Sequence, residues 1–195
     1  PPTPTVAVGC GSSTATRANP PSIETYYWQT TSGGTSTANS SATLTVTSSG
    51  TRYLRARNNY YGLWSEVRAV YITVKPIPAA PTGSNVTRSG PGTVTLTVAP
   101  PSGASANWYD GNTRVGTGET TYTTPHLTSD RSYTVRSTLN GCESTTPRTV
   151  TAIVGPPPTP PTPTVAVGCG SSTATRANPP SGVTYYWQST SGGTS

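Results

Sequence analysis

The sequence is poor in the residues that build helices, membrane spans and charged sites. Its 195 residues include no methionine, no phenylalanine and only 9% charged residues. Good helix formers are scarce and rarely clustered, so no segment predicts a helix. No apolar run approaches the roughly 20 residues of a spanning helix, and no signal peptide pattern is present. We expect an all-β chain without membrane insertion, internal to a larger precursor or processed from one.

Acidic residues and histidine are too few and too scattered to predict a catalytic or metal site. The six acids are Glu24, Glu66, Asp110, Glu119, Asp130 and Glu143. Their spacing predicts no paired general acid and base, although folding can still bring two of them together. The single histidine, His126, follows Pro125 and has no partner at metal-ligand spacing. No serine-nucleophile elbow occurs either. We expect no enzymatic activity, no metal and no cofactor.

The most prominent feature present is a long internal repeat. Residues 1–36 align with residues 160–195 without a gap, at an offset of 159 positions, and only three positions differ. A repeating unit of this length exceeds any solenoid turn and must contain one or two whole domains.

A weaker echo inside the unit indicates two domains. Three segments of one half match three segments of the other: Tyr27-Trp28 with Trp108-Tyr109, residues 53–57 with 133–137, and residues 67–70 with 147–150. Each half is about 80 residues, which suffices for a small β-sandwich. We therefore predict domains at residues 1–76 and 77–157, followed by the N-terminal half of a third at residues 158–195.

Short β-prone runs recur at the spacing of a sandwich fold. Threonine, serine, valine and tyrosine runs of four to seven residues return every 8–12 positions, separated by turn residues. Strands are predicted near residues 4–8, 13–18, 25–30, 42–47, 51–58 and 66–74, and again near 83–88, 93–98, 105–110, 119–124, 131–138 and 146–154. The pattern predicts tandem immunoglobulin-like β-sandwich domains.

The aromatic residues divide into core candidates and a candidate contact patch. Sandwich domains bury a tryptophan on the third strand, which predicts core positions for Trp28, Trp108 and the repeated Trp187. Tyr53 and Tyr133 open the next long strand and are also assigned to the core. Tyr60, Tyr61 and Trp64 instead flank a turn, where polar residues are usual. They form either an exposed contact patch or a surface that docks on the neighbouring domain.

Proline and arginine set the expected mechanics and partners. Proline-rich segments at residues 74–81 and 155–163 predict semi-rigid linkers, and stiff links between stacked domains make a rod.

The net charge is +6, mostly from arginines dispersed along strands as solvated residues. This charge favours solubility and leaves an anionic glycan as a candidate partner. No basic cluster predicts nucleic-acid binding.

The chain has three cysteines, an odd number, with one in each predicted domain. Cys10 follows the first strand, and Cys142 lies in the last hairpin turn of the second domain. In an immunoglobulin-type sandwich these two positions face each other across a domain junction, which predicts an inter-domain Cys10–Cys142 disulfide and an oxidising, extracellular setting. Cys169 is then expected to pair forward. Reduced, unpaired thiols are the alternative.

The two complete domains and the partial third also resemble a known family, most specifically in the second domain. The carrying segments, in order, are residues 93–98, Trp108-Tyr109-Asp110, residues 116–125, Tyr133-Thr134-Val135-Arg136 and Asn140-Gly141-Cys142-Glu143-Ser144. They are similar to the immunoglobulin-like repeat modules of very large secreted and cell-surface proteins of gliding Bacteroidota. The resemblance implies a dedicated secretion system, surface anchoring and no catalysis by the modules. That family often places both cysteines in one module, and Ser89 departs from this pattern.

Two functions fit these observations. The first is a non-catalytic structural region of an extracellular surface adhesin or filament, a stalk whose partners are neighbouring immunoglobulin-like domains and homotypic fibre contacts. The second is a spacer or carbohydrate-binding module of a secreted polysaccharide-degrading enzyme. Near-identical repeats favour the first, because enzyme spacers seldom need homogenised arrays.

Overall fold

The chain is built from β-strands. A computed structural model describes residues 1–180, 183–191 and 193, and within these residues there is no helix. Parts of the predicted third half-domain, at positions 181, 182, 192, 194 and 195, lie outside the described residues. The described residues also contain no helix that could cross a membrane.

Six strands lie in residues 1–76: β1 (Thr5–Ala7), β2 (Ser13–Thr16), β3 (Glu24–Gln29), β4 (Thr43–Val46), β5 (Gly50–Asn58) and β6 (Arg68–Ile72). Nine lie in residues 77–157: β7 (Thr82–Gly83), β8 (Val86–Ser89), β9 (Thr95–Ala99), β10 (Ser105–Asp110), β11 (Thr113–Thr117), β12 (Thr121–Thr123), β13 (Arg131–Leu139), β14 (Cys142–Glu143) and β15 (Arg148–Gly155). Two more follow: β16 (Thr164–Val167) and β17 (Ser172–Thr175).

The first six strands form two three-stranded antiparallel sheets. Their orders are β1-β2-β4 and β3-β5-β6. In β4 the threonines Thr43 and Thr45 are exposed, whereas Val46 is buried, which is the alternation that a half-buried strand requires. β3 pairs with β5 along its whole length, with Trp28 opposite Leu54.

Two halves of this region contribute to one hydrophobic core. Residues 1–36 supply Ala15, Tyr26 and Trp28, and residues 37–76 supply Val46, Leu54, Ala56, Val70 and Ile72. Val6, Leu44 and Val74 pack against this cluster and are partly buried. Because each half contributes part of one core, neither can bury its apolar side chains without the other.

The strands of residues 77–157 form two further sheets. One has the order β12-β9-β7; the other has the order β11-β10-β13-β15-β8, with β14 paired to β13. The β8–β15 pair is parallel. Along β9 and the residues before it, Val94, Leu96 and Val98 are buried, as the alternation with threonine predicts.

The described chain separates into two compact units. The first comprises Pro1–Gly83, Thr97–Thr120 and Tyr133–Thr149; the second comprises Ser84–Leu96, Thr121–Ser132 and the described part of Val150–Ser195. This division follows compactness and not sequence order, so the domain boundaries after residues 76 and 157 stay a prediction.

The observed strands differ from the predicted ones in a few places. The predicted strand near residues 83–88 is divided into β7 and β8, and the strands near 66–74 and 119–124 are shorter than expected. β11 was not predicted because its sequence contains Arg114 and Gly116, which weaken the β signal. It forms because Gly111, with φ of +58°, turns the chain back so that β11 pairs with β10.

Candidate functional site

The first compact unit contains a disulfide between Cys10 and Cys142. The two Cα atoms are 5.6 Å apart although the residues are separated by 132 positions in the sequence. The bond joins the first predicted domain to the second, the pairing expected from the positions of the two cysteines. It is the feature of this chain with the clearest mechanical consequence, because it closes a very long loop.

Backbone contacts with the end of the first predicted domain hold Cys10. The Gly11 amide donates to the Lys75 carbonyl at 2.8 Å, and the Lys75 amide donates to the Gly9 carbonyl at 3.0 Å. Gly11 has a φ of +72°, and a Cβ there would lie 2.7 Å from Cδ1 of Ile77. A residue with a side chain at position 11 would therefore be strained and would press against the Ile77 side chain.

A tight hairpin holds Cys142. In register, Leu139 faces Cys142, and the turn between them is Asn140-Gly141, with φ of 51° and 81°. Asn-Gly is the sequence that two-residue hairpin turns with two positive φ angles favour. The Cys142 side chain is 1% exposed, so the turn presents the sulfur on the covered face of the hairpin.

A hydrogen-bond network braces the same hairpin through Glu143. Asn107 Nδ2 and Tyr109 Oη donate to Glu143 Oε1 at 2.6 and 2.8 Å. Burial acts to raise the pKa of Glu143, but these hydrogen bonds and the charges of Arg136 and Arg114 outweigh it, so the pKa is lowered. Burial, together with the bond to Glu143, raises the pKa of Tyr109.

Sequence reasoning missed this network. It named Glu143 among the scattered acids and in the segment that carries the family resemblance, and it gave Asn107 no role. The available signal was the Asn107-x-Tyr109 spacing, because residues two apart on a strand share a face.

The candidate contact patch of Tyr60, Tyr61 and Trp64 divides into two environments. Tyr60 and Tyr61 are 79% and 80% exposed, and neighbouring Leu63 is 70% exposed. Asn58 Oδ1 accepts the amides of Tyr60 and Tyr61 at 3.0 and 2.9 Å, which fixes the loop that carries them. This loop presents a tyrosine pair to solvent.

Trp64 lies outside the strands and pairs with Arg57 of β5 through an isolated antiparallel bridge. Its ring lies 5.6 Å from the Tyr27 ring in an edge-to-face arrangement, and the Arg55 guanidinium lies 5.6 Å from it. Arg55 also donates to the Ser65 and Gly34 carbonyls at 2.9 and 3.0 Å. Arg55 is therefore a structural cross-link and not the solvated strand residue that the sequence predicts.

Among the aromatics assigned to the core, Trp28, Trp108 and Tyr133 are buried and Tyr53 is half-buried. Trp187 differs from the expectation, because it is 58% exposed. Trp28 is covered because β3 pairs with β5 and packs against the core supplied by residues 37–76. Residues 183–188 form no strand, so Trp187 has no strand pairing of this kind to cover it.

The remaining candidate residues are Cys169 and the side chains that could bind a metal. Cys169, the repeat of Cys10, is a free and exposed thiol. In the part of the chain that the structure describes, no three histidine, cysteine, aspartate or glutamate side chains are grouped as metal ligands.

Comparison with known proteins agrees with the immunoglobulin-like class that the strands indicate. Residues 78–156 match the family model described as "Ig-like domain CHU_C associated". Among curated protein sequences, none matches this chain. The match covers the second predicted domain, and this part of the chain is thus similar to an Ig-like family.

Solved structures are also similar at low identity. An I-band fragment of titin is 14% identical with a TM-score of 0.39, over 83% of this chain and 67% of that one. Fibronectin(III)-like modules of Clostridium thermocellum CbhA are 19% identical with a TM-score of 0.39, over 78% and 95%. Murine CEACAM1b is 11% identical with a TM-score of 0.40, over 76% and 95%.

Proposed function

We propose that this chain belongs to the structural repeat region of a large extracellular surface adhesin or filament, where immunoglobulin-like modules form a stiff, non-catalytic stalk. The observation that carries the proposal is the Cys10–Cys142 disulfide. A bond between two predicted domains restrains their relative motion, which a stalk requires and an isolated binding module does not. It also supports an extracellular location, since disulfides persist in oxidising compartments.

The linkers and the repeat support the same proposal. Residues 155–163 contain six prolines in nine positions, a composition that favours extended polyproline geometry. The near-identity of residues 1–36 and 160–195 is typical of an array of like modules. The partners of each module would be its neighbours in the array, with homotypic contacts between fibres.

Cys169 extends this proposal to the next junction. It repeats Cys10 but is exposed and free. We expect it to pair forward along the array, with a cysteine in the position that Cys142 occupies for Cys10. Disulfide-linked junctions would then alternate with junctions held by proline-rich linkers alone.

Small-angle scattering of the full chain tests the stalk. A compact protein of 195 residues has a radius of gyration of about 16 Å. We expect at least about 22 Å for the oxidised chain with Cys169→Ser, which prevents intermolecular disulfides but leaves Cys10–Cys142 intact. The further substitutions Cys10→Ser and Cys142→Ser should preserve the folded modules and increase the flexibility visible in the scattering profile. A radius near 16 Å for the oxidised chain would contradict the proposal.

A second candidate function is a carbohydrate-binding module, and the exposed pair Tyr60 and Tyr61 favours it. Aromatic faces stack on sugar rings, and the net charge of +6 would assist binding to an anionic glycan. A glycan array with the full chain tests this function, with Tyr60→Ala/Tyr61→Ala as the matched variant. Binding that is abolished by the variant would establish it; an array without signal would remove it.

A further inference from the structure

The sheet of β3, β5 and β6 has an inner and an outer face. On β5, Leu54 and Ala56 are buried in the hydrophobic core. Because side chains alternate along a strand, Tyr53, Arg55 and Arg57 lie on the outer face, where they are half-buried. The outer face therefore carries aromatic and charged side chains that the core does not use.

Three tyrosines form a diagonal line across this outer face. In register, Tyr27 of β3 lies opposite Arg55, and Tyr71 of β6 lies opposite Thr51. Tyr53 lies on β5 midway between these two partners, so it is a diagonal neighbour of both other tyrosines. Diagonal neighbours on adjacent strands are about 7–8 Å apart. Tyr71 is 64% exposed, so the line begins at a side chain that is open to solvent.

Arg57 lies at the other end of the outer face. It pairs with Trp64 through an isolated bridge and lies opposite Thr25 of β3. A Cβ on Gly62 would be 3.0 Å from Arg57 Nη2, so the absence of a side chain at Gly62 leaves room for the guanidinium. Arg55 donates to two backbone carbonyls, whereas within the described residues the Arg57 guanidinium has no hydrogen-bond or ion-pair partner. Its donors are therefore available to a ligand.

The second predicted domain forms the same strand pair with different outer side chains. In β10 and β13 a tryptophan lies opposite an aliphatic residue, as in β3 and β5. When the two pairs are aligned on this contact, Thr134 takes the position of Tyr53 and Thr138 that of Arg57. Tyr133, which the sequence matches with Tyr53, is one residue out of this register and is buried. Because the strand pair forms with threonine at both positions, its fold does not explain a tyrosine and an arginine there.

Charge indicates the chemistry of a ligand. Across β3, β5 and β6, which the structure describes in full, the outer face carries arginines and no carboxylate. The acid on these strands, Glu24, alternates with Thr25 and so lies on the inner side, and Glu66 is exposed in the connection before β6. Aromatic faces pack on the apolar faces of sugar rings, and a guanidinium binds a carboxylate through two parallel hydrogen bonds. The combination favours an anionic sugar polymer.

We propose that the outer face of the β3-β5-β6 sheet is a binding site for an acidic polysaccharide that contains uronic acids. Tyr71, Tyr53 and Tyr27 follow the polymer, and the two more open tyrosines stack on successive sugar rings. Arg57 binds a uronate carboxylate. A linear polymer matches this line because each tyrosine lies on a different strand. The inference rests on the second candidate function, carbohydrate binding, and gives its ligand class and its place in the fold.

Isothermal titration calorimetry of the full chain at low salt tests the site with two uronate polymers, polygalacturonate and alginate, each also as its neutral ester. We expect saturable binding of at least one acidic form. Esterification should weaken it at least about tenfold, because the ester cannot form the charged pair with Arg57. Bound polymer should also slow hydrogen exchange in residues 51–57 and 68–72.

Threonine variants locate the site. Arg57→Thr should weaken binding of the acidic polymer about tenfold and that of its ester less than about twofold. Tyr53→Thr and Tyr71→Thr should each weaken both about fivefold through lost stacking. Arg52→Thr is the control for charge, since Arg52 lies opposite buried Val70 on the inner side, and it should change affinity less than about twofold. Threonine favours strands, and unchanged circular dichroism would show that each variant folds.

Four outcomes would overturn the proposal. The first is no binding of either polymer; a glycan array that binds a neutral glycan would then keep carbohydrate binding and exclude this ligand class, whereas a blank array would remove both. The second is equal binding of dextran sulfate, and the third is equal losses from Arg52→Thr and Arg57→Thr, since either would indicate attraction of any polyanion. The fourth is loss of binding in Tyr60→Ala/Tyr61→Ala while the sheet variants bind as the native chain does, which would move the carbohydrate site to the loop.

Discussion

Residues 1–36 and residues 160–195 have nearly the same sequence but different surroundings. In both, a hairpin forms with the same register, β1 with β2 and β16 with β17. Beyond the hairpins the two regions diverge. Residues 24–29 form β3 in the first region, whereas residues 183–188 form no strand in the second.

The difference separates local from long-range determinants of structure. The hairpin pairs residues only 11 positions apart at its open end, so a short turn suffices to form it. β3 forms by pairing with β5, and Glu24 faces Asn58 across 34 positions. The same residues therefore adopt a strand only when a segment from elsewhere offers its backbone and its apolar side chains.

The largest expected effect comes from removing the tryptophan of each copy. Trp28→Ala should lower the free energy of unfolding of the first module by about 3–5 kcal/mol, because it deletes a nearly buried side chain from the core. Trp187→Ala should change the free energy of unfolding of the chain by less than about 0.5 kcal/mol, because Trp187 is mostly exposed. Chemical denaturation followed by circular dichroism measures both.

The two tryptophan variants are each other's control, since they make the same change in nearly the same sequence. Equal destabilisation by both would show that Trp187 is buried in solution. The conclusion that Trp28 is buried and Trp187 is exposed would then be wrong.

The next effect concerns the two equivalent cysteines. Cys10→Ser should destabilise the first compact unit by about 2–4 kcal/mol, because it removes the bond that closes a loop of more than 130 residues. Cys169→Ser should leave stability unchanged. An alkylating reagent without reductant should modify Cys169 alone, as peptide mapping by mass spectrometry would show. Modification of Cys10 or Cys142 to the same extent would contradict the pairing.

The sequence allowed much of this structure to be predicted, for identifiable reasons. Alternation in Thr43-Leu44-Thr45-Val46 predicted a half-buried strand, and the positions of Cys10 and Cys142 predicted their pairing. A local pattern was sufficient for the strand, and an immunoglobulin-like topology was sufficient for the disulfide.

Other features depended on contacts that a linear pattern does not contain. Trp187 has nearly the same neighbours in sequence as Trp28, yet Trp28 is buried in a paired strand and Trp187 is exposed and in no strand. Likewise, the role of Arg55 depends on Trp64 and Gly34, which lie nine and 21 positions away. The Glu143 network depends on Asn107, which is 36 positions away.

A smaller effect is expected for the arginine of each copy. Arg17 Nε and Nη2 donate to the Ser41 and Ser40 carbonyls at 3.0 and 2.6 Å. Arg17→Ala should therefore lower the free energy of unfolding by about 1 kcal/mol, reduced from the usual value of such bonds by solvent exposure. For Arg176→Ala we expect no measurable change in thermal unfolding. Destabilisation by Arg176→Ala as large as that by Arg17→Ala would imply that Arg176 already binds a covering segment.

The smallest expected effect concerns the hairpin that carries Cys142, the partner of Cys10. Because the folded chain lowers the pKa of Glu143, its carboxylate stabilises the fold above the unfolded pKa, and this contribution is lost as the pH falls through the lower pKa of the folded state. Glu143→Gln keeps an acceptor for Asn107 and Tyr109 but does not titrate. Between pH 7 and pH 3 the native chain should lose more thermal stability than Glu143→Gln, by less than about 4 °C in Tm, measured by calorimetry. Glu66→Gln is the matched control, since Glu66 is exposed, and it should follow the native chain. If Glu143→Gln also follows it, the carboxylate contributes no stability to the Cys142 hairpin.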